Sequence, residues 1–302
     1  IMKSEFKKSL QIAAEDKNFI LITGDLGFDF FEDFQESFPD QFINVGVAEQ
    51  NMIGIACGLA LNHKKVFVYS IGNFPTLRCL EQIRNGICYH NLSITIVAMG
   101  GGFSYGALGF SHHATEDISI LRSLPNMNVF CPGTNQEMNA CFKECHNNSS
   151  PNYLRLDKTT QDLDLENRKI TEPQVYSSGG DAIIFSCGGI IKECFKASVE
   201  LKEHQINLDV CSVPCTKPLP SYRLREIIKN YEYVLTIEEN NLVNGFGASI
   251  RMICDDIVKK DNFFSFGIDD KISSIVGSQD FLRTHNEISS KFITNKIKEM
   301  IL

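Results

Sequence analysis

The sequence predicts two α/β domains, each a mostly parallel sheet flanked by helices. Three observations carry that prediction. Short apolar, β-branched runs alternate with longer helical patterns along the whole chain. The short runs are apolar at successive positions rather than at every second one; strands of that kind are buried on both faces and need helices above and below. A polar stretch, residues 156–181, interrupts the pattern without a strong periodic run of its own. The 302 residues suffice for two domains of the usual size, roughly 100–200 residues each.

In chain order, the predicted strands of the first domain are "FILIT" (19–23), "FINV" (42–45), "KVFVYS" (65–70), "SITIVAM" (93–99), "MNVFCP" (127–132) and "YLRL" (153–156). Helices are expected near 47–62, 75–89, 115–123 and 135–146, with Pro75 suited to a first helical turn. The second, shorter series is "AIIFSC" (182–187), "INLDVCSV" (206–213), "YVLTIE" (233–238) and "FFSFGI" (263–268), again with helices between. The domains are accordingly placed at 1–157 and 175–302, with a linker at 158–174. There are no internal repeats or low-complexity segments.

Composition narrows the function. Hydrophobic residues at 43% and charged residues at 22% describe a soluble globular chain. No apolar run approaches the roughly 18–20 residues that span a bilayer, and "IMKSEFKKSL" lacks the apolar core of a secretion signal. No membrane association and a cytoplasmic location are therefore expected; Ile1 before Met2 reads as a cloning remnant. A net charge of −8 with pI ≈ 5.4, and no basic cluster, argues against nucleic acid. The 11 cysteines include no C-x-x-C, and Cys57, Cys79 and Cys187 have apolar neighbours, so free buried thiols in a reducing compartment are expected.

In open α/β sheets, ligands collect beyond the carboxyl ends of the strands. Four loops there have unusual content: "GDLGFDF" after the first strand, "GVAEQ" after the second, "SIGNFP" after the third and "GGGFSYGALGFSHHATED" after the fourth. The helix "NMIGIACGLAL" is small and apolar almost throughout, yet Glu49 and Gln50 stand at its start. A carboxylate is costly to desolvate. Glu49 is thus either a cap, bonding back to the amide of an N-cap Gly46, or it has a chemical partner elsewhere. The adjacent His112 and His113 point in different directions and make a poor chelate, so no metal site is expected. Arg78 and Glu81, three apart, are expected to pair with each other. In "TIEENNLVNGFGASI" (236–250), the helix start could hold an anion or be an ordinary turn and cap.

"NVGVAEQNMIGIACGLAL" (44–61), "FPTLRCLEQIRN" (74–85) and "SHHATEDISILRSLPNMNVFCP" (111–132), in that order, strongly resemble the C-terminal half of transketolases, and the resemblance extends over essentially the whole chain. It is also close to the corresponding part of 1-deoxyxylulose-5-phosphate synthase and, more distantly, to β-subunits of 2-oxo acid dehydrogenases, whose motifs fit less well around "SHHATED". The resemblance implies a transferase using thiamine diphosphate and Mg²⁺. It implies that Glu49 hydrogen-bonds the distal nitrogen of the cofactor's aminopyrimidine, which then takes the thiazolium C2 proton, and that a carboxyl in a largely apolar pocket is suited to share that proton. It makes Phe74 the aromatic packed on the aminopyrimidine and lines the crevice with Asp25, Gln50 and Arg78. It places His112 at the reacting carbon of the donor ketose, with His113, Lys158 and Asp29 on the substrate side.

The diphosphate and Mg²⁺ motif of such enzymes reads G-D-G followed by Asn some 25–30 residues on; Gly24–Asp25 and Asn51 mimic it, but Leu26 replaces the third glycine and Asn51 lies inside a helix. The chain thus resembles the C-terminal subunit of a split transketolase, transferring a two-carbon ketol unit from a ketose to an aldose. The ligands of the diphosphate and metal are expected on a separate partner subunit, with a homodimer contact within a heterotetramer. A catalytically dead regulatory or sugar-binding homologue is the reading from another class, and intact Glu49, Phe74 and His112 oppose it. Phosphate-handling members place a His at the end of the fourth strand, a Ser four residues after the Asp of the "DL" motif, an Arg past the last strand of the domain, and an Asp four residues before the active-site His. This chain has Gly100, Asp29, Lys158 and Leu108 there. An unusual sugar is therefore expected, unless the partner subunit supplies the phosphate ligands.

Overall fold

The structure, a computed structural model, describes residues 2–158 and 169–302. Its first half runs α1 (Met2–Ala13), β1 (Phe19–Thr23), α2 (Glu32–Ser37), β2 (Phe42–Asn44), α3 (Glu49–Leu61), β3 (Lys65–Ile71), α4 (Leu80–Gln82), β4 (Ile94–Met99), α5 (Asp117–Ser123), β5 (Asn128–Phe130), α6 (Asn135–Asn147) and β6 (Asn152–Leu156). The second half runs β7 (Gln174–Val175), β8 (Ala182–Ser186), α7 (Ile191–Lys202), β9 (Leu208–Ser212), β10 (Cys215–Lys217), α8 (Ser221–Ile228), β11 (Tyr233–Asn241), α9 (Phe246–Cys254), β12 (Phe263–Ile268), α10 (Gln279–His285) and α11 (Ser290–Ile301). The expected linker at 158–174 lies mostly outside the described residues.

Two sheets form, as the apolar runs imply. The first has the order β10-β5-β6-β4-β3-β1-β2 and the second β12-β11-β8-β9-β7. Both are parallel except at one edge each, where β10 runs antiparallel to β5 and β7 antiparallel to β9. Strand β10 comes from the second half of the chain yet completes the first sheet. Three residues with no alternation of their own gave no local signal for it.

Strands β1, β4, β6, β8 and β9 are buried at every position. One face of the first sheet packs on α1 and α6 through an aromatic layer that includes Phe6, Phe19, Phe34, Phe67 and Phe142. Its other face carries α3 and α5 in a core that continues without a break into Phe185, Leu224, Phe246 and Ile250 of the second half. A third core lies between the second sheet, α7 and α11. It also takes in Phe103, from the loop after β4.

The helix expected at 75–89 is segmented. A 3₁₀ turn at Leu77–Cys79 precedes α4, and a widened π-type turn follows at Ile83–Cys88. The widened turn meets α3 where a Cβ on Gly86 would lie 2.8 Å from Cys57 Sγ. Such turns interrupt helices at sites of close packing or function.

All 11 cysteines are free, and all but Cys57 are buried. Burial pushes the Cys88 and Cys254 thiols up to about 11 and those of Cys79 and Cys215 to about 12. Thiolate is the reactive form. A thiol-reactive dye at pH 8 is expected to label at most Cys57 rapidly in the native chain, and all thiols only after denaturation. Fast native labelling of several would contradict this packing.

Candidate active site

The carboxyl end of the first sheet gathers the predicted loops. Helix α3 begins at Glu49 itself, with Ala48 as N-cap and no side chain capping it. The expected Gly46 cap and its back-bond from Glu49 are therefore not formed. With the helix starting later than expected, the Glu49 carboxylate turns towards the next helix instead. Arg78 Nη1 donates to Glu49 Oε2 at 2.7 Å, and the side chains are 45% and 1% exposed, respectively. This replaces the expected Arg78–Glu81 pair, because the α3 crossing brings the buried carboxylate within reach whereas Glu81 faces solvent. It also means that one wall of the Glu49 pocket is a cation rather than apolar. Glu49 Oε1 has no hydrogen-bond partner among the described residues. Behind Glu49 stands Gly24, where a Cβ would sit 3.4 Å from Glu49 Cγ.

The Arg78 guanidinium lies over the Phe74 ring, 4.5 Å from its centroid, a favourable cation–π arrangement. The edge of the ring meets His112 at 5.3 Å between centroids. Gln50 Nε2 donates to the Arg78 carbonyl at 3.0 Å, tying α3 to the Phe74 segment. Glu49, Gln50, Phe74, Arg78 and His112 are thus in one cluster, although they come from three different loops.

The two histidines separate, as adjacent residues must. His112 is half-buried, with Nδ1 3.0 Å from Ser111 Oγ, and its Nε2 makes no hydrogen bond among the described residues. His113 is buried, with Nε2 3.2 Å from the Gly106 carbonyl and its ring edge-on to Phe103 at 5.2 Å. His113 is therefore part of the internal packing of its loop and not a group at the crevice surface. Asn73 Nδ2 donates to the His113 carbonyl, which fastens the third loop to the fourth.

Asp25 adopts a left-handed backbone (φ 59°) and exchanges hydrogen bonds with the Asn44 side chain, its amide donating at 3.0 Å and its Oδ1 accepting at 3.1 Å. That pair rims the crevice beside Gly24. Asp29 is exposed and also left-handed (φ 58°), its amide donating to Glu32. Lys158 Nζ lies 3.5 Å from the centroid of the Tyr105 ring. At Gly100 (φ 90°) a Cβ would fall 2.1 Å from Tyr105 Cε2, so the tyrosine ring fills the space a side chain there would take. Leu108 is exposed on the same loop.

The helix start in 236–250 has its own anion. Glu238 accepts from Phe246 N and Gly247 N, both at 2.7 Å, and so caps α9. Burial raises that carboxyl to about 7 against the pull of the two amides.

Sequence reasoning missed a buried ionic network behind the site. Arg155 Nε donates to Asp117 Oδ2 at 2.9 Å, and Tyr153 OH to the same oxygen at 2.5 Å. Asp157 lies 3.7 Å from Arg155 and accepts from Gly189 N of the second half. Glu239 and Arg283 form a second buried pair at 2.5 Å. Charged residues inside strands were the available signal, since a strand buried on both faces puts Arg155 in the core. Among the described residues no group of three or more His, Cys, Asp or Glu could hold a metal ion, and no helix is long and apolar enough to cross a membrane.

Two mostly parallel sheets joined through a shared core, with a buried glutamate, an aromatic ring and a histidine at the carboxyl end of the first, have the layout of a transketolase pyrimidine-binding domain followed by its C-terminal domain. The family models agree, with "Transketolase, pyrimidine binding domain" matching residues 7–161 and "Transketolase, C-terminal domain" residues 172–262. The chain belongs to the transketolase family, as a C-terminal section. It is 30% identical over 297 residues to the putative transketolase C-terminal section of Methanocaldococcus jannaschii, covering 96% of this chain and 92% of that one. It is 29% identical over 265 residues to one of the subunits of the apulose-4-phosphate transketolase of Actinobacillus succinogenes, covering 87% and 85%. Among solved structures, a split-gene transketolase described as an inactive beta4 tetramer superposes with a TM-score of 0.86 at 25% identity, over 99% of this chain and 97% of that one.

Proposed function

We propose that this chain is the C-terminal subunit of a split, thiamine diphosphate-dependent transketolase that transfers a two-carbon ketol unit from a ketose to an aldose. The observation that carries the reading is the Glu49–Arg78–Phe74–His112 cluster. Its residues fit the pyrimidine end of the cofactor: Glu49 Oε1 is left without a partner in a buried carboxylate, and the Phe74 ring lies under the Arg78 guanidinium that pairs with Glu49. When bound, thiamine diphosphate would supply an acidic carbon that is nucleophilic towards a ketose carbonyl once deprotonated, and an electron sink for the bond to be broken.

This chain's own residues do the rest. Glu49 would turn Oε1 to the distal nitrogen of the aminopyrimidine as the group that passes it a proton, while Arg78 fixes Oε2, so the carboxyl cannot rotate out of line. Phe74 offers an aromatic wall. His112, with Nδ1 turned to Ser111, has Nε2 to give and take a proton at the sugar hydroxyl. Diphosphate and Mg²⁺ would be held by a separate subunit, because Gly24–Asp25–Leu26 does not complete the motif for them. Self-association alongside that pairing is supported by the split-gene relative, which is described as a beta4 tetramer.

Purified alone, the chain is expected to bind thiamine diphosphate weakly or not at all in calorimetry, since the Mg²⁺-bridged contacts lie elsewhere. Tight, Mg²⁺-dependent binding by the isolated chain would remove the reason for a partner.

The substrate reading rests on Gly100, Tyr105, Asp29 and Lys158. The Tyr105 ring fills the room beside Gly100, Asp29 brings negative charge to the rim, and Lys158 is a point charge laid on an aromatic ring instead of a guanidinium fork. The preferred sugar is therefore not a simple pentose or hexose phosphate held in the family's manner. In steady-state kinetics of the assembled pair, xylulose 5-phosphate and ribose 5-phosphate are expected to be poor substrates. A kcat/KM above about 10⁴ M⁻¹s⁻¹ would refute this. So would a preference for a sugar phosphate such as the one in the name of the Actinobacillus succinogenes relative.

A further inference from the structure

His112 sits near the end of a long loop between β4 and α5 with little regular structure: two 3₁₀ turns, Gly106–Leu108 and Phe110–His112. Catalytic side chains must be held to within about half an ångström, so something must fix this loop. Its two ends are pinched together where Gly102 and Ala114 exchange backbone hydrogen bonds at 2.8 and 2.9 Å. Ala114 is two residues from His112. What holds the pinch comes from Arg155 of β6 and from the second half of the chain.

Glu239 Oε1 accepts from Phe103 N at 2.6 Å, and a Cβ on Gly102 would lie 2.5 Å from Glu239 Cγ, so the carboxylate is pressed against the pinch. The Glu239 carbonyl accepts from Arg155 Nη2 at 3.0 Å, and the same nitrogen donates to the Ala114 carbonyl at 3.1 Å. Two residues on, Asn241 N donates to the Thr115 carbonyl at 2.6 Å. The Phe103 ring, fully buried, is seated in the core of the second sheet with Ile237 and Leu282. Glu239 is held in turn: Arg283 donates to Oε2 from Nε at 2.7 Å and from Nη2 at 2.5 Å, and Gln279 Nε2 donates to Oε1 at 3.0 Å. One oxygen faces the loop and the other faces the cation that anchors it.

We propose that Glu239, anchored by Arg283, is a positioning residue for His112, so that the C-terminal domain sets the geometry of substrate proton transfer without reaching the crevice itself. The inference rests on the role given to His112 above. Glu49 lies on α3, and its described hydrogen bond and ion pair go to Arg78 and not to this clamp, so the two functions separate on loss of the clamp.

The test is Glu239→Gln, in the free chain and in the pair assembled with its diphosphate-binding subunit. Gln keeps the shape but loses the charge that Arg283 and the Phe103 amide both use. In hydrogen–deuterium exchange of the free chain, amides of residues 102–116 are expected to exchange about tenfold faster or more, with those of α3 unchanged. In the pair, with β-hydroxypyruvate as ketol donor, kcat is expected to fall by about 10²-fold, as for a displacement near 1 Å. KM should stay within a few-fold, and exchange of the cofactor's C2 proton should stay at the parent rate. Should the single variant fail to fold, Glu239→Gln with Arg283→Gln removes both buried charges and carries the same expectations. Parental loop protection and kcat in a folded variant would overturn the proposal, as would C2-proton exchange falling in step with kcat. A parent pair that exchanges no C2 proton would instead overturn the thiamine reading, and amide exchange of the loop would still decide whether Glu239 holds it.

Discussion

Glu49→Gln in the assembled pair is expected to lower turnover by roughly 10²–10⁴-fold, the range for a lost general acid–base group, while thermal unfolding stays within a few degrees of the parent. Gln has the same volume, and its carbonyl oxygen can still accept from Arg78 Nη1 where Oε2 now does. The α3–Arg78 contact and the Arg78–Phe74 stack therefore survive. What is lost, on the proposed role, is the one carboxyl of the cluster able to pass a proton to the cofactor, and no other side chain replaces it: Asp25 is tied to Asn44, and His112 lies across the Phe74 ring. The deciding measurement is exchange of the cofactor's C2 proton, which does not depend on substrate. If the Gln variant exchanges it as fast as the parent, Glu49 is not the acid.

The legible part of this site was the part that broke a local pattern. Glu49 stood out because a carboxylate at the head of an apolar helix violates the burial preference of everything around it. His112 was visible as one of a histidine pair in a glycine-rich loop beyond a strand, and only the family resemblance gave it a role. Arg78 was visible but assigned to the wrong partner. A spacing of three suggested Glu81, whereas the observed Glu49 is 29 residues away, and only the packing of α3 on the next helix brings them together. Sequence periodicity reports neighbours along an element and is silent about neighbours across two.

The strand "TIEENN" shows the same limit in a sharper form. Read locally, it ended at Glu238 and left a glycine-rich helix start as a possible anion site. The strand in fact continues to Asn241, and alternation along it sends Glu238 and Glu239 to opposite sides. One carboxylate caps α9, the other clamps the loop of His112. Neither destination could be read from the segment, because both depend on which elements the fold lays against its two faces. Both sheets and nearly all their strands were legible because consecutive burial is written in the composition of each run. The clearest exception, β10, is three residues long and owes its place to β5.

Arg155→Met is expected to carry a large stability cost, about 3–5 kcal/mol, the usual cost of removing one partner from a buried ionic group. Arg155 is 1% exposed, donates hydrogen bonds to Asp117 and to the carbonyls of Ala114 and Glu239, and lies 3.7 Å from Asp157. Met fills much of the same volume, so the cavity contribution is small and the loss is electrostatic. Asp117 retains only the Tyr153 hydroxyl and Asp157 only the Gly189 amide among the hydrogen bonds described above. Because these carboxylates and carbonyls join the two halves of the chain, the variant should also loosen their mutual packing before either sheet melts. A double variant distinguishes charge from shape. Asp117→Leu with Arg155→Met replaces the paired charges by apolar groups of similar size, and replacements of that kind are commonly neutral or stabilising. The double variant should therefore recover the part of the loss that belongs to the unpaired Asp117, while Asp157 and the two carbonyls keep theirs, in denaturant unfolding. If Arg155→Met costs less than about 1 kcal/mol, the level of a surface pair, the network does not hold the domains together. If the double variant is no more stable than the single one, the unpaired Asp117 charge is not what the single variant loses.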